Sequence, residues 1–459
     1  MNLEETLDAI QLLEPELARP KKVPGGVMLG FRRNPIGALS KAASKYGDVC
    51  YINVGRARPY LISNPAYIQR ILAESHKNVV KGPLLQGARK VLGDGLLTSE
   101  GDYHHKQKRL IQPAFHHERI ASYAQTMTQC TERMMSEWSD GLILNIHEKM
   151  THLSMDIVAR CLFGADVHSR SSEIDKALYD TVDYFGKLAS PFGRILDRVP
   201  LPNYRRYHKA AQKLDEIVYQ IIRERRSKGN KDTGDLLSML LKAVDTEGQG
   251  ARMTDKEVRD EIITLFMAGL ETTANGMTWS WYLLSENPTI EEKMHEEIDH
   301  VLSYASLPTA EDYPKLSYTM NVFREALRVY PPVWALGRVA VNELTIGDYR
   351  LPAGSFLLMS QYVMHHDPRF YERPEEFNPG RWTRQMLESL PKFAYFPFGG
   401  GPRVCVGEPF AWLEGVLVIA TIGRRWRMKH VLGHKVEKRP RITLQPKYGM
   451  MMKVSSRDK

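Results

Sequence analysis

Cysteine is scarce in this 459-residue sequence: four in all, Cys50, Cys130, Cys161 and Cys405. They share no metal-ligand spacing and are too few for a disulfide framework, so a cysteine-rich scaffold is excluded and a reducing, cytoplasmic setting is expected. Long apolar runs are missing as well. The opening MNLEETLDAIQLLEPELARP carries acids and two prolines instead of the basic start and apolar centre of a signal peptide. No later stretch reaches the roughly 20 apolar residues that span a bilayer. A soluble protein with no membrane span is expected. Internal repeats and low-complexity tracts are absent. Charge of one sign is not segregated either. The formal net charge is +9, which alone is compatible with nucleic acid, a membrane surface or an acidic protein. The basic residues are mostly scattered among acids, which argues against nucleic acid. They thicken only at Arg424–Lys429 and from Lys435 to Arg441.

What is present is a globular composition, 43% hydrophobic and 25% charged. Length alone allows two or three domains. Residues 1–35 read as an irregular lead-in rich in proline and glycine. Two short strands, VCYINV and PYLIS, follow within 49–63. Helical periodicity then dominates from about 101 to 330. After 331 the pattern becomes proline-rich, with short strands VAV, SFLLMS and RITL and one strongly helical segment near 408–424. The expected fold is mainly α with a smaller β portion drawn from both ends. Strands from both ends favour one intertwined domain over 1–459.

Chemistry concentrates in FPFGGGPRVCVG, residues 396–407, followed by EPFAWLEGVLVIATI. Three glycines and a proline make a loop whose backbone can approach a flat ligand. Cys405 stands just before a helix, where backbone N–H groups and the helix dipole favour a thiolate. A buried small hydrophobe is the ordinary fate of a cysteine, and Cys130 and Cys161 fit it; the glycine loop and following helix set Cys405 apart. A second cluster, AGLETT at 268–273, lies in a long helical pattern that starts at a capping box, Thr254 and Glu257, and ends at Asn287-Pro288. Its middle, IITLFMAG, is apolar almost all round and should be buried. A threonine there ordinarily bonds back to the carbonyl four residues earlier; a neighbouring glutamate in an apolar helix is costly and asks for a reason. A third pattern places Glu325 and Arg328 on one helix face, with Arg381 arriving later in FNPGRW.

Phe398-x-x-Gly401-x-Arg403-x-Cys405-x-Gly407 resembles the signature of the cytochrome P450 family, and the other patterns follow in that family's order across the chain. The resemblance implies a long central helix over a haem, with the Cys-ligand loop beneath it. It implies Cys405 as iron ligand, Phe398, Gly401, Gly407 and Ala268 around haem b (iron protoporphyrin IX), and O₂ as co-substrate. Thr272 would hydrogen-bond the dioxygen and Glu271 deliver protons through water. Glu325, Arg328 and Arg381 would form a structural cluster. The family's early Trp-x-x-x-Arg appears here as His104 and Lys108. Either can donate to a haem propionate, but lysine lacks the arginine fork; Arg338 and Arg403 match further propionate positions.

The segments that line the family's substrate pocket give Leu84, Leu85, Val91, Leu96, Leu265, Phe266, Trp334, Leu336 and Met450, an apolar set suited to a hydrophobic small molecule. Fatty acids, terpenoids and steroid-like compounds all fit. Gly55-Arg56-Ala-Arg-Pro-Tyr60 resembles the carboxylate-holding hairpin of fatty-acid hydroxylases; a solvated turn arginine and a strand tyrosine are the more ordinary reading of so short a match. No glycine-rich nucleotide region follows Cys405, so no fused reductase is expected. Electrons from NAD(P)H would arrive through a separate reductase and an acidic ferredoxin or flavodoxin docking on Lys106, Lys108, Arg109 and Arg403. The expected activity is a haem-thiolate monooxygenase. A peroxide-driven hydroxylase or haem-dependent isomerase or dehydratase is the alternative, although such relatives tend to lose the acid–alcohol pair. A haem carrier or gas sensor would need neither residue.

Overall fold

The capping box is formed. In the computed structural model the Glu257 amide donates to the Thr254 hydroxyl at 3.2 Å, and the Thr254 amide donates to the Glu257 carboxylate at 2.8 Å. The helix they start, Asp255–Glu286, has 32 residues and ends at Asn287, before Pro288 opens the next helix. At 1.5 Å per residue it is about 48 Å long. From Asp260 to Trp281 every residue is buried or half-buried except Ala268, which is exposed. Leu265, Glu271 and Thr272, half-buried, lie one turn to either side of it. A helix closed on all other faces therefore leaves one bare stripe.

The structure describes residues 20–23, 30–31, 33–52, 59–164, 202–227, 229, 234–245, 250, 252–302 and 306–457. The chain is predominantly helical with minor sheet, and it divides into two units. The first comprises Met1–Gly82, Ala335–Glu372 and Leu390–Val404. Its six-stranded sheet runs, in spatial order, Lys21–Val23, Val49–Ile52, Pro59–Ile62, Phe356–Met359, Leu336–Ala340 and Val79–Lys81. Strands from distant parts of the sequence are thus neighbours, Leu61 opposite Leu358 in a parallel pair. Val49, Ile62, Leu357 and Met359 fill the core on this sheet.

The second unit comprises Pro83–Trp334, Arg373–Ser389 and Cys405–Lys459. It holds the long helix, the early helix Gly101–Ile111, Ile146–Phe163, Ser317–Val329 and the cysteine helix Glu408–Gly423. Gly269 lets Ile146–Phe163 come close: a Cβ there would stand 3.2 Å from Val158. One element differs from the sequence reading. Ile143–Asn145 is a strand within the helical stretch because Met451–Ser456 supplies its partner, a tertiary contact that local periodicity cannot encode. Pro83–Leu92 is helical, with Pro83 at the first position where its fixed φ suits a helix start.

Candidate active site

In the first unit the cysteine loop is shaped by its own neighbours. Gly401 has φ +67°, and a Cβ there would overlap the Leu72 carbonyl; one at Gly400 would overlap the Phe393 ring. Two of the three glycines are therefore required by protein packing. Phe398 is half-buried in the same loop. Arg403 donates to the Val79 carbonyl at 3.0 Å. On the adjacent strand Arg338 is buried, donates to the Gly337 carbonyl at 2.9 Å, and stands directly opposite buried Lys81. Like charges in register repel, and an anionic group beside them would relieve that repulsion. Lys81 escaped the sequence reading; its signal was a lysine at an inward position of the strand VVK.

Cys405 belongs to the second unit. It is exposed, whereas Cys50, Cys130 and Cys161 are buried. Burial nevertheless dominates its proton affinity and pushes the thiol up to about 11, against the lowering effect of the Gly407 and Glu408 amides and of Lys108. The helix-start N–H groups act in the expected direction, but burial outweighs them. A Cβ on Gly407 would stand 3.9 Å from the sulfur and from the Phe115 ring. Lys108 is half-buried, its ammonium destabilised by burial and partly restored by the Cys405 sulfur. His104 lies one turn earlier, buried on the same face. Lys106 is bonded to Glu257 at 3.0 Å and Arg109 to Asp245 at 3.2 Å, so two of the four cations read as a docking face are engaged internally.

On the long helix the Thr272 hydroxyl donates to the Ala268 carbonyl at 2.7 Å. That leaves its lone pairs as acceptors on the bare stripe. Burial raises the proton affinity of Glu271, opposed by a hydrogen bond from Thr443 and the charge of Arg441. Another acid, Glu414 of the cysteine helix, is fully buried and accepts from Ser154 at 2.8 Å. Burial pushes its carboxyl up to about 8, against hydrogen bonds from Ser154 and Thr273. Sequence reasoning missed it as part of an apolar helix face.

The Glu325 cluster is complete. Its carboxylate receives Arg328 through Nε at 2.9 Å and Nη2 at 2.8 Å, Arg381 at 2.8 Å, the Trp382 indole at 2.9 Å and the Asn378 amide at 3.1 Å. Arg328 also donates to the Pro374 and Glu376 carbonyls, at 2.6 and 2.8 Å.

Residues read as substrate-lining divide. Leu265 shares the bare stripe. Phe266 turns into the core with Leu214, Ile217 and Val218, and Met450 is wholly enclosed beside Asn145. Both are buried, and Phe266 stands about 100° along the helix from Leu265. Trp334 donates its indole N–H to the Arg441 carbonyl at 2.9 Å. Tyr60 is half-buried in its strand beside Tyr51, ring centroids 6.0 Å apart, as is Leu336 at a strand end. Arg56 and the side chains of Leu84 and Val91 lie outside the described residues.

Among the described residues no helix is long and apolar enough to cross a membrane, and no cluster of three His, Cys, Asp or Glu could hold a metal by itself. Within the second unit, the Cys405 thiol, half-buried Lys108 and buried His104 are side chains that suit a metal-bearing, anionic prosthetic group that brings most of its own ligands. The family profile described as "Cytochrome P450" matches residues 23–454. "Cyclooctatin synthase" of Streptomyces melanosporofaciens is 36% identical over 92% of each chain. "Cyclooctat-9-en-7-ol 5-monooxygenase" of the same organism is 37% identical over 90% of each. The structure titled "Crystal structure of cytochrome P450DA heme domain" superposes with TM-score 0.87 over 97% of this chain and 99% of its own, at 23% identity, a likeness of fold. With a profile match spanning nearly every residue and relatives of this similarity, the chain belongs to the cytochrome P450 family, oxidoreductases of monooxygenase type that use haem b and dioxygen on hydrophobic substrates.

Proposed function

We propose that Cys405 is the axial sulfur ligand of the haem iron, and that His104, Lys108, Arg338 and Arg403, joined by Lys81, receive the propionates. When bound, the haem supplies the activation of O₂ that puts one oxygen atom into substrate and releases the other as water. The chain's residues supply the rest. Positive charge at Lys81, Arg338 and Arg403 offsets the propionates in a buried setting where their desolvation is costly. The Thr272 lone pairs, directed by its bond to Ala268, accept a hydrogen bond on the bare stripe. Glu271, whose proton affinity burial raises, is an acid one residue away that can replace a proton spent there. The observation that carries this reading is that stripe: a buried helix left open at Leu265, Ala268 and Thr272, with its acid alongside.

For the substrate we favour a cyclic terpenoid hydrocarbon or alcohol over a fatty acid. The support is the apolar surface of Leu265 and Ala268 together with the ring alcohol in one relative's name. Electrons would come from NAD(P)H through a separate reductase and an acidic ferredoxin or flavodoxin. The test begins by titrating the haem-loaded enzyme with polycyclic terpene alcohols and long-chain fatty acids, following the shift of the haem absorption band. The tightest ligand is then turned over with a surrogate reductase by the parent and by Thr272→Ala. Terpene alcohols should bind, and Thr272→Ala should retain haem while losing about tenfold or more of its product per NADH, with peroxide released instead. Fatty-acid binding alone overturns the substrate class. Unchanged coupling makes Thr272 a helix residue only.

A further inference from the structure

Two neighbouring acids of the long helix are buried: Asp260 is 2% exposed and Glu261 not at all. Both accept from the main chain of residues 93–99, the turn between Pro83–Leu92 and the early helix Gly101–Ile111. The Asp94 amide donates to Asp260 at 2.9 Å, and the Leu96 amide donates to Glu261, also at 2.9 Å. Asp260 further receives Lys256 and Arg259, each at 2.7 Å, and Arg259 donates to Asp215 of Pro202–Ser227 at 2.8 Å. A buried carboxylate is costly unless donors surround it, so the acids and the turn hold one another in place.

The turn is shaped for this approach. Gly93 has φ +68°, and a Cβ on it would overlap the Asp260 carboxylate. One on Gly95 would overlap the Thr264 hydroxyl and stand 2.7 Å from the Asp260 carbonyl oxygen. The buried Thr98 hydroxyl donates to the Gly93 carbonyl at 2.6 Å, and the Ser99 amide to the Gly95 carbonyl at 2.9 Å. The turn is therefore closed on itself and pressed against the long helix, and a side chain at either glycine would push it away.

Where the turn meets that helix bears on the site. Glu261, Leu265, Ala268 and Thr272 follow one another at intervals of four, three and four residues, which puts them on one face within about 60°. Glu261 thus heads the row that stays open at Leu265, Ala268 and Thr272, about 10 Å along the axis from Ala268. Exposure along the row falls from Ala268 to half-buried Leu265 and ends at Glu261. Leu96, whose amide Glu261 holds, is half-buried and packs against the apolar cluster that includes Ile262 and Phe266. We propose that Glu261 is a specificity-determining residue: by holding the Leu96 amide it fixes the turn as an apolar end wall across the stripe, which limits the length of substrate. The inference deepens the reading of the stripe as the open face of the site and rests on it. Glu261 is a positioning residue, with no surface of its own to offer a substrate. A compact polycycle fits between the wall and Ala268, whereas an extended chain laid along the stripe runs into the wall.

The test titrates the haem-loaded enzyme with 1-alkylimidazoles from butyl to dodecyl. Their ring nitrogen binds iron and shifts the haem absorption band, so the alkyl chain gauges the room along the stripe whatever the native substrate is. In the parent, affinity should rise by up to about fourfold per added methylene and then stop rising at a length set by the wall. Glu261→Leu removes the acceptor, and Glu261→Gln keeps one. Glu261→Leu should move the break to longer chains, tightening dodecylimidazole about tenfold or more and changing butylimidazole less than about twofold. Amide hydrogen exchange over residues 93–98, read by mass spectrometry, should quicken about tenfold or more in the same variant, as expected when a hydrogen bond to a charged group is lost. Glu261→Gln should match the parent in both. Faster exchange with an unmoved break makes Glu261 a structural residue only and overturns the proposal; so does unchanged exchange. Should Glu261→Leu fail to fold or to take up haem, Gly95→Ala, which keeps both acids but presses the turn off Thr264, should move the break in the same direction. No movement there overturns the proposal as well. A parent that shows no nitrogen-ligand shift with any chain overturns the haem site itself, and the wall with it.

Discussion

Glu325 and Glu271 are carboxylates of the same unit, and the protein surrounds them in opposite ways. Glu325 is fully buried and receives five hydrogen bonds, three of them from two arginines. Glu271 is half-buried, and burial raises its proton affinity against the opposing influence of Thr443 and of the Arg441 charge. A carboxylate whose lone pairs are all occupied by fixed donors has no reason to move or to change charge. One left short of donors in an apolar setting holds a proton more readily and can give it up. The difference separates a structural acid from a chemical one without reference to sequence position.

The largest expected effect tests the first half of that contrast. Glu325→Ala strands two buried guanidinium groups, Arg328 and Arg381, and an indole N–H, and should destabilise the unit by about 3–5 kcal/mol. Urea unfolding should show this directly, and haem should be lost in proportion to unfolding. A cost under about 1 kcal/mol would mean that the arginines find water or carbonyl partners unaided.

The Glu325 cluster also shows how far the sequence could be read. Glu325 and Arg328 share a helix and their pairing follows from spacing; Arg381 came from a motif. Trp382 and the Asn378 amide, which complete the shell, lie in the same FNPGRW motif as Arg381, but nothing local pairs them with Glu325. The long helix announced itself through its capping box, and Cys405 through its loop and helix. Lys81 and Glu261 gave no such sign, since each matters only through a partner from another element. The glycines were legible as glycines, but not the Leu72 carbonyl and the Phe393 ring that crowd Gly401 and Gly400.

Glu414 sharpens the second half of the contrast. Its carboxyl is pushed up to about 8, above its unfolded value, so the folded state binds the proton more tightly. The stability this provides is present in full below the unfolded value near 4.5 and is lost as pH rises through about 8. Glu414→Gln keeps the shape and hydrogen-bonding capacity without a charge to desolvate. Its melting temperature relative to the parent should therefore rise between pH 5 and pH 9, with a maximum gain on the order of a few kcal/mol. A difference independent of pH would show that water reaches the carboxylate and pays for its charge.

Glu257 is the third kind of acid, well supplied with donors but close to the surface, and it carries the smallest effect. Burial raises its proton affinity, yet hydrogen bonds from the Thr254 amide, Lys106 and the Thr254 hydroxyl outweigh it, so the carboxyl titrates below its ordinary value. A depressed carboxylate contributes stability that is present above the unfolded value and lost as pH falls through the folded one. Lys106→Ala removes one donor among several from a partly hydrated pair, so the cost should be about 0.2–1 kcal/mol and should shrink further with added salt. The same variant tests the electron-transfer face. With its ammonium bound to Glu257 at 3.0 Å, Lys106 has little charge to offer a docking protein. The concentration of ferredoxin or flavodoxin giving half-maximal turnover should then change less than about twofold, since the net charge lost is already compensated. A rise of tenfold or more, steeper at low salt, would mean that Lys106 leaves Glu257 for the partner, and that this acid is less firmly held than its donors suggest.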